Sequence, residues 1–469
     1  MVMKQYQEEA AIPVSPTGQY FNSSVLCIYV LGVLEFEVPL DESQAIPLLK
    51  RLFLPVNPRF SSIMVEDMSG KKQWEKVEVN LKDHVNIPSF PECEPDELYD
   101  KYFSDYMSKI ASEKLPENRP LWEIHIVNYP TSSAASSLIF KLHHALGDGY
   151  SLMGALLSCL QRADDPSLPL PFPPLKPAKS HRKSFFNRFS LAMSSAFHTF
   201  ADFWGSISKS SVNEDDQTPI RSGIEGPEIP PFTVSTLEFS LDQIKLVKSR
   251  LIGATINDVI TGVIFFGIRL YMQDVDIKSR AANSTALVLM NTRNIEVYQS
   301  VDDMLKSKAS WGNHISFFHV PIPKLEDDRI SNPLEFIWEA HNIIIRKKQS
   351  AAVLLAGMLL EMKRKWKGYE AVAKHMYDTM SKSSLAITNL IGPSQKISLA
   401  NHPVKGLYFT SVGVPQSLQM SVMSYNGVLR VSLQTEKYFI DEHKLKSSLE
   451  SAFEIILNAA MEIPRQTKN

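Results

Sequence analysis

Two apolar rhythms alternate along the chain. Residues 23–38, SSVLCIYVLGVLEFEV, form an apolar run of strand length, and DESQAIPLLKRLF (41–53) reads as a helix with Asp41 near its start. SSIMVE and WEKVEV read as short strands. In EPDELYDKYFSDYMSKIASEKL, Leu98, Tyr102, Tyr106 and Ile110 share one stripe at helical spacing. PLWEIHIVNYP and SSLIFKLHHAL read as two more strands, and Tyr150 to Leu160 as a helix. The second half repeats the mixture. TVSTLEFSL, TALVLMNTR, NHISFFHVPIP, SLAITNLIGP, VKGLYFTSV, LQMSVMSYNG and VLRVSLQTEKYF read as strands. ATINDVITGVIFFGIRLYMQ, most of 332–365 and residues 441–463 read as helices.

Between the halves the pattern breaks. Prolines crowd DDPSLPLPFPPLKPAKSHRK, where fixed φ and missing donors suit a linker. A second polar stretch, SSVNEDDQTPIRSGIEGPEIPP, closes the region. The division expected is a first lobe at 1–163, a linker at 164–232 and a second lobe at 233–469. The class expected is mixed α/β (α+β), because the strict βαβ rhythm of a doubly wound sheet is missing.

One stretch concentrates chemistry: HHALGDG, at 143–149. By the period of two, His144 shares a strand face with Leu138, Phe140 and Leu142, while His143 points the other way. Asp148 stands where it can cap the next helix. A histidine at the end of a strand, with a pKa near 6.5, suits a general base that takes a proton from an attacking hydroxyl. The plainer reading makes both histidines packed core residues and Asp148 a cap. A chance HHxxxDG is expected in roughly one chain in a thousand, which favours chemistry. GYSLMG resembles a nucleophile elbow but has one residue too many after Ser151, so direct transfer is simpler than a covalent intermediate.

Composition narrows the field. A net charge of −2 gives no global reason to expect nucleic acid. Three widely spaced cysteines, Cys27, Cys93 and Cys159, make no CxxC pair, and no metal cluster or dinucleotide fingerprint is present. No uncharged apolar run has the length of a clear membrane span, and the N-terminus lacks the features of a signal peptide.

HHxxxDG resembles the signature of acyl-CoA-dependent acyltransferases built from two chloramphenicol-acetyltransferase-like lobes. Pro120-Leu121-Trp122, Ala254-Thr255-Ile256-Asn257-Asp258-Val259, Asn291-Thr292-Arg293, Gly312-Asn313 and Thr388-Asn389-Leu390-Ile391-Gly392-Pro393 resemble blocks of the wax ester synthase/diacylglycerol acyltransferase family, plant-type members above all. Ile391 stands where that resemblance leads one to expect proline. The resemblance implies two lobes with the active site in a channel between them. It also implies transfer of a long-chain acyl group from acyl-CoA to a fatty alcohol or diacylglycerol. His144 matches the base, and His143, Asp148 and Gly149 match supporting positions. Asp148 is expected to hold the loop, with Arg293 as its partner. Asn257 is either an oxyanion donor or part of a helix cap. Acyl-CoA is implied as co-substrate, with no bound cofactor and no metal.

In 184–206, Phe186, Phe189, Met193, Phe197, Phe200 and Trp204 follow helical steps behind a basic flank. Such a helix lies on an anionic membrane or packs on its own core. The family likeness implies the cytosolic face of the endoplasmic reticulum or plasma membrane. The basic runs Arg346-Lys347-Lys348 and Lys363-Arg364-Lys365-Trp366-Lys367 are either solvated faces or contacts for CoA phosphates. Two other readings stand beside lipid acyl transfer: a soluble acyltransferase for small metabolites, and a non-catalytic lipid-binding protein.

Overall fold

The computed structural model describes residues 12–464, apart from 69–70, 92–96, 174–213, 225–229, 294–297, 308–310, 327–331 and 350–351. The stripe expected at 184–206 and Cys93 lie outside the described residues.

Two large sheets dominate. The first has seven strands in the order β5 (Val85–Asn86), β6 (Trp122–Val127), β7 (Ser136–His143), β2 (Tyr29–Phe36), β14 (His402–Val412), β13 (Ile397–Leu399) and β8 (Gln161–Arg162). The second has six: β11 (Ile315–Pro321), β10 (Thr285–Asn291), β12 (Leu385–Ile391), β15 (Leu418–Tyr425), β16 (Val428–Glu436) and β9 (Phe232–Ser240). A small sheet of β1 (Ile12–Pro13), β4 (Lys72–Lys76) and β3 (Ser62–Glu66) flanks the first.

Strands β2 and β7 are buried along their whole length, which explains their unbroken apolar runs. Beside them runs helix α1 (Glu42–Leu52), and Asp41 caps it by accepting from the Ser43 amide at 2.9 Å. Trp122 is fully buried and donates from Nε1 to Phe60 O at 2.9 Å, so it is core packing.

The second sheet sorts its residues by the period of two. Leu385, Ile387, Leu418, Met420, Val422, Val431 and Leu433 join a core with three helices: α4 (Ile256–Val275), α5 (Glu335–Gln349) and α7 (Glu442–Glu462). The alternate residues face the first lobe, where β14 packs against β15 and β16. Helix α2 (Glu97–Ser112) and helix α3 (Gly149–Leu157), which follows the histidine motif, belong to the first lobe.

Two features differ from the sequence reading. Helix in the 332–365 region is two helices, and the second, α6 (Ala352–Met380), runs on to Met380 with a break at Gly368. More consequentially, β13 and β14 come from the second half of the chain yet complete the first sheet. Phe409 pairs with Gly32 and Val412 with Tyr29. A cut at 233 therefore divides the chain but not the sheets. No local periodicity marks this, because one strand pattern fits either sheet.

The lobes are also joined by charge. Arg430 of β16 donates to Glu35 of β2 at 2.5 Å and also pairs with Glu238. Its guanidinium lies over the Tyr408 ring at 5.2 Å. Arg430 and Glu35 are 7% and 3% exposed, so removing one strands the other charge in the interior. Arg430→Ala is expected to lower stability by about 3–5 kcal/mol in denaturant unfolding, much more than loss of an exposed pair such as Lys245–Asp242.

Candidate active site

The histidine pair sits where β7 ends, and its two rings do different work. His143 turns into the first lobe, edge-on to Tyr29 at 5.0 Å between centroids. Its Nδ1 accepts from the Ala145 amide at 3.0 Å, and its Nε2 faces Cys27 Sγ at 3.5 Å. Burial pushes its pKa down to about 3. His143 is therefore a neutral ring that shapes the turn.

His144 faces the other lobe. Its amide donates to Ile28 O at 2.9 Å, and Phe21 meets its ring edge-on at 4.8 Å. Nδ1 lies 2.9 Å from Asn313 Oδ1, and Asn313 Nδ2 donates to the His144 carbonyl at 2.9 Å. The second contact fixes the amide's orientation, since only its NH₂ can serve a carbonyl. Oδ1 therefore accepts Nδ1–H, and the lone pair is left on Nε2. Burial holds the pKa of His144 below the ordinary histidine value, against the opposing pull of Asp148 and Asn313. The ring is a neutral base at pH 7.

Asp148 anchors this loop and is fully buried. Arg293, beyond β10, forks onto it with Nη1–Oδ2 at 2.6 Å and Nη2–Oδ1 at 2.8 Å. Asp148 also accepts from the Ser151 and His314 amides, at 3.1 and 2.9 Å, and caps α3. Every lone-pair direction is thus engaged, so the carboxylate holds position rather than moving a proton. Ser151 Oγ receives Arg293 Nη2 and the Gly312 amide and lies within reach of Asp148, which leaves it no freedom as a nucleophile. Gly149 meets the opposite lobe, where a Cβ would come within 2.9 Å of the end of the Leu390 side chain on β12.

A small apolar pocket opens on His144 between the lobes. Phe21 and Ile28 come from the first lobe, and Leu287, Phe317, Met376 and Met380 from the second. A larger, polar cavity shares Val414 with it and carries Lys114, Lys374 and Lys382 alongside Glu214 and Asp378.

Asn257 is not among the residues lining the pocket. It is exposed in the first turn of α4, where its Oδ1 accepts from Asn389. The cap of that helix is made by its neighbours, as Thr255 and Asp258 form a reciprocal capping box and Asp258 also meets His341 Nδ1 at 2.8 Å. The run 363–367 lies on α6, with Arg364 paired to Glu361 and Trp366 85% exposed. Asn313 and Phe21 are the contacts of His144 that the sequence reading did not assign. Asn313 lies 169 residues from the histidine it orients, and Gly312-Asn313 alone is too short a signal. Among the described residues, no helix is long and apolar enough to cross a membrane, and no cluster suits a metal ion.

The sequence carries two family signatures. The wax ester synthase/diacylglycerol acyltransferase catalytic domain matches residues 54–260, and the WS/DGAT C-terminal domain matches residues 311–457. Wax ester synthase/diacylglycerol acyltransferase 3 of Arabidopsis thaliana is 31% identical over 98% of this chain and 96% of its own length. Number 11 of the same plant is 29% identical over 96% and 95%. Among solved structures, the wax ester synthase/diacylglycerol acyltransferase of Marinobacter aquaeolei superposes with a TM-score of 0.58 at 18% identity, covering 95% of this chain and 99% of that one. The first condensation domain of the CDA synthetase gives 0.56 at 12% identity, with 98% of each chain covered. Both share the two-lobed fold.

Asn313→Ala is expected to lower kcat at least roughly tenfold by releasing the tautomer, with little change in melting temperature. Arg293→Ala is expected to cost about 3–5 kcal/mol of stability as well as activity; unchanged values for both would remove the anchoring role. Both histidines titrate lower in the folded state than the ordinary value of about 6.5, so the unfolded chain binds more protons below that pH. Stability should therefore hold above pH ~6.5 and fall as pH drops toward ~3. The acid limb of kcat/KM should lie below that of free imidazole.

Proposed function

The chain belongs to the wax ester synthase/diacylglycerol acyltransferase family, and on that footing we propose that it moves a long-chain acyl group from acyl-CoA to a fatty alcohol or diacylglycerol. The observation that carries this reading is a neutral His144, its free Nε2 directed by Asn313, on the wall of an apolar interlobe pocket. Nε2 takes the proton of the acceptor hydroxyl as its oxygen attacks the thioester carbonyl. A C–O bond forms, the C–S bond breaks, and the departing CoA thiolate recovers the proton from Nε2–H. No covalent enzyme intermediate is needed. Ser151 is immobilised, and burial raises both described thiols, Cys159 to about 12. Acyl-CoA is a co-substrate here, with no resident cofactor. The polar cavity with Lys114, Lys374 and Lys382 suits its phosphates better than the exposed run at 363–367.

The same reading places the protein on a membrane, at the cytosolic face of the endoplasmic reticulum. Two features support contact with an anionic surface. One is the aromatic stripe at 184–206 with its basic flank. The other is α6, where Met358, Leu359, Met362 and Trp366 are exposed and Lys363 and Lys365 flank them.

With one labelled long-chain acyl-CoA and the two acceptors in competition, the wild type should form ester and His144→Ala should lose about 10²–10⁴-fold. Ester formation unaffected by His144→Ala would end this mechanism. Deleting 184–206 should shift the protein to the soluble fraction; unchanged membrane association would remove that segment as the anchor.

A further inference from the structure

Acyl transfer through His144 places negative charge on the acyl oxygen, and that charge needs a hydrogen-bond donor inside the site. The donors nearest the histidine are already committed. The amides of His144, Ala145, Leu146 and Asp148 donate within the fold. Those of Gly312 and His314 go to Ser151 and Asp148, and Asn313 Nδ2 goes to the His144 carbonyl. Asn257 is exposed and does not line the pocket.

Among the described residues, four polar residues besides His144 line the pocket: Ser316, Thr388, Ser411 and Gln419. Ser316 alternates with Phe317 on β11, and its register partner Met290 packs toward the helices behind the sheet. Ser411 stands on the same wall as His144, but β2 separates β14 from β7, about 10 Å across the sheet. Gln419 turns its amide to Ser421 Oγ at 3.5 Å. Thr388 is placed differently. Ala386, Thr388 and Leu390 share the interlobe face of β12 by alternation, while Asn389 between them turns to Asn257 of α4. Leu390 packs on Gly149 of the histidine motif. Thr388 lies one step along the same face, about 7 Å away, on the wall that faces His144. Its hydroxyl has no partner among the described residues.

We propose that Thr388 is a second catalytic residue, whose Oγ1–H donates to the acyl oxygen as the thioester carbonyl becomes tetrahedral. The inference rests on the acyltransferase reading and adds to its chemistry. As the acceptor oxygen bonds to the carbonyl carbon, the C=O π pair moves onto the acyl oxygen. Thr388 holds that charge without giving up its proton. The pair returns to re-form C=O as the C–S bond breaks. The pocket is small, so a carbonyl attacked by a hydroxyl about 3 Å from Nε2 directs its oxygen to the facing strand. A donor carried on a strand within a sheet is oriented before the substrate arrives.

The test compares wild type with Thr388→Val, which keeps the shape and removes the donor, and with Thr388→Ser, which keeps the donor. Thr388→Val should lower kcat about 10²-fold with fatty alcohol and with diacylglycerol alike, because the acyl oxygen is common to both reactions. KM for acyl-CoA, the acid limb of the pH profile and the melting temperature should hardly move. Thr388→Ser should recover most of the loss. A second readout uses His144→Ala protein, which holds acyl-CoA unreacted. There the infrared band of a carbonyl-labelled acyl-CoA should move to lower frequency on binding, and adding Thr388→Val should abolish that shift. An undiminished kcat in Thr388→Val, an equal loss in the valine and serine variants, or a band that Thr388→Val leaves in place overturns the proposal. So does a loss that appears with Ser411→Ala instead. A wild type that turns over neither acceptor would defeat the transferase reading, and the carbonyl band would then decide the role of Thr388 by itself.

Discussion

The buried pair of Asp148 and Arg293 is the constraint on which the site depends. One carboxylate gathers a guanidinium, the first turn of α3 and the backbone after Asn313. Each comes from a different part of the chain, and Arg293 and His314 belong to the second half. The loop bearing His144 is thereby held at one distance from the residue that orients it. A charge pair that is 6% and 1% exposed gives little net stability over an apolar substitute, but it tolerates no looseness. Its use here is positional.

That arrangement separates the signature's residues by role. His143 and Asp148 do not line the pocket on which His144 opens. One sets the turn and the other ties it down. Gly149 packs against the Leu390 side chain of the opposite lobe. Only His144 presents a free lone pair to the pocket. The adjacent histidines differ in what their Nδ1 atoms do: one accepts from a backbone amide, the other donates to a side chain.

What could be read from sequence follows from range. Strands and helices were legible because alternation and helical spacing are local, and the Asp41 cap was legible for the same reason. The histidine motif was legible because its residues lie within seven positions. The Asp148–Arg293 pair, 145 residues apart, was reached through resemblance rather than pattern. Asn313 fell within a short block of the same resemblance, but nothing in Gly312-Asn313 tied it to a histidine 169 residues away. Asn257 reads as polar at a helix start, but its accessible face is turned to Asn389 and the capping is done by Thr255 and Asp258. The pairing of β14 with β2 joins residues nearly the whole chain apart, which periodicity cannot reveal.

That pairing has a consequence for how the protein is made. Strand β2 sits between β7 and β14, so during synthesis it waits with one edge unpaired until residues 402–412 leave the ribosome. Its edge is apolar and eight residues long, the kind that recruits other strands. The first sheet is thus closed at its middle only after most of the chain has been made, and the long-range contact order favours slow closure. A nascent chain ending before residue 402 would expose the centre of its first sheet, a natural mark for chaperones and quality control.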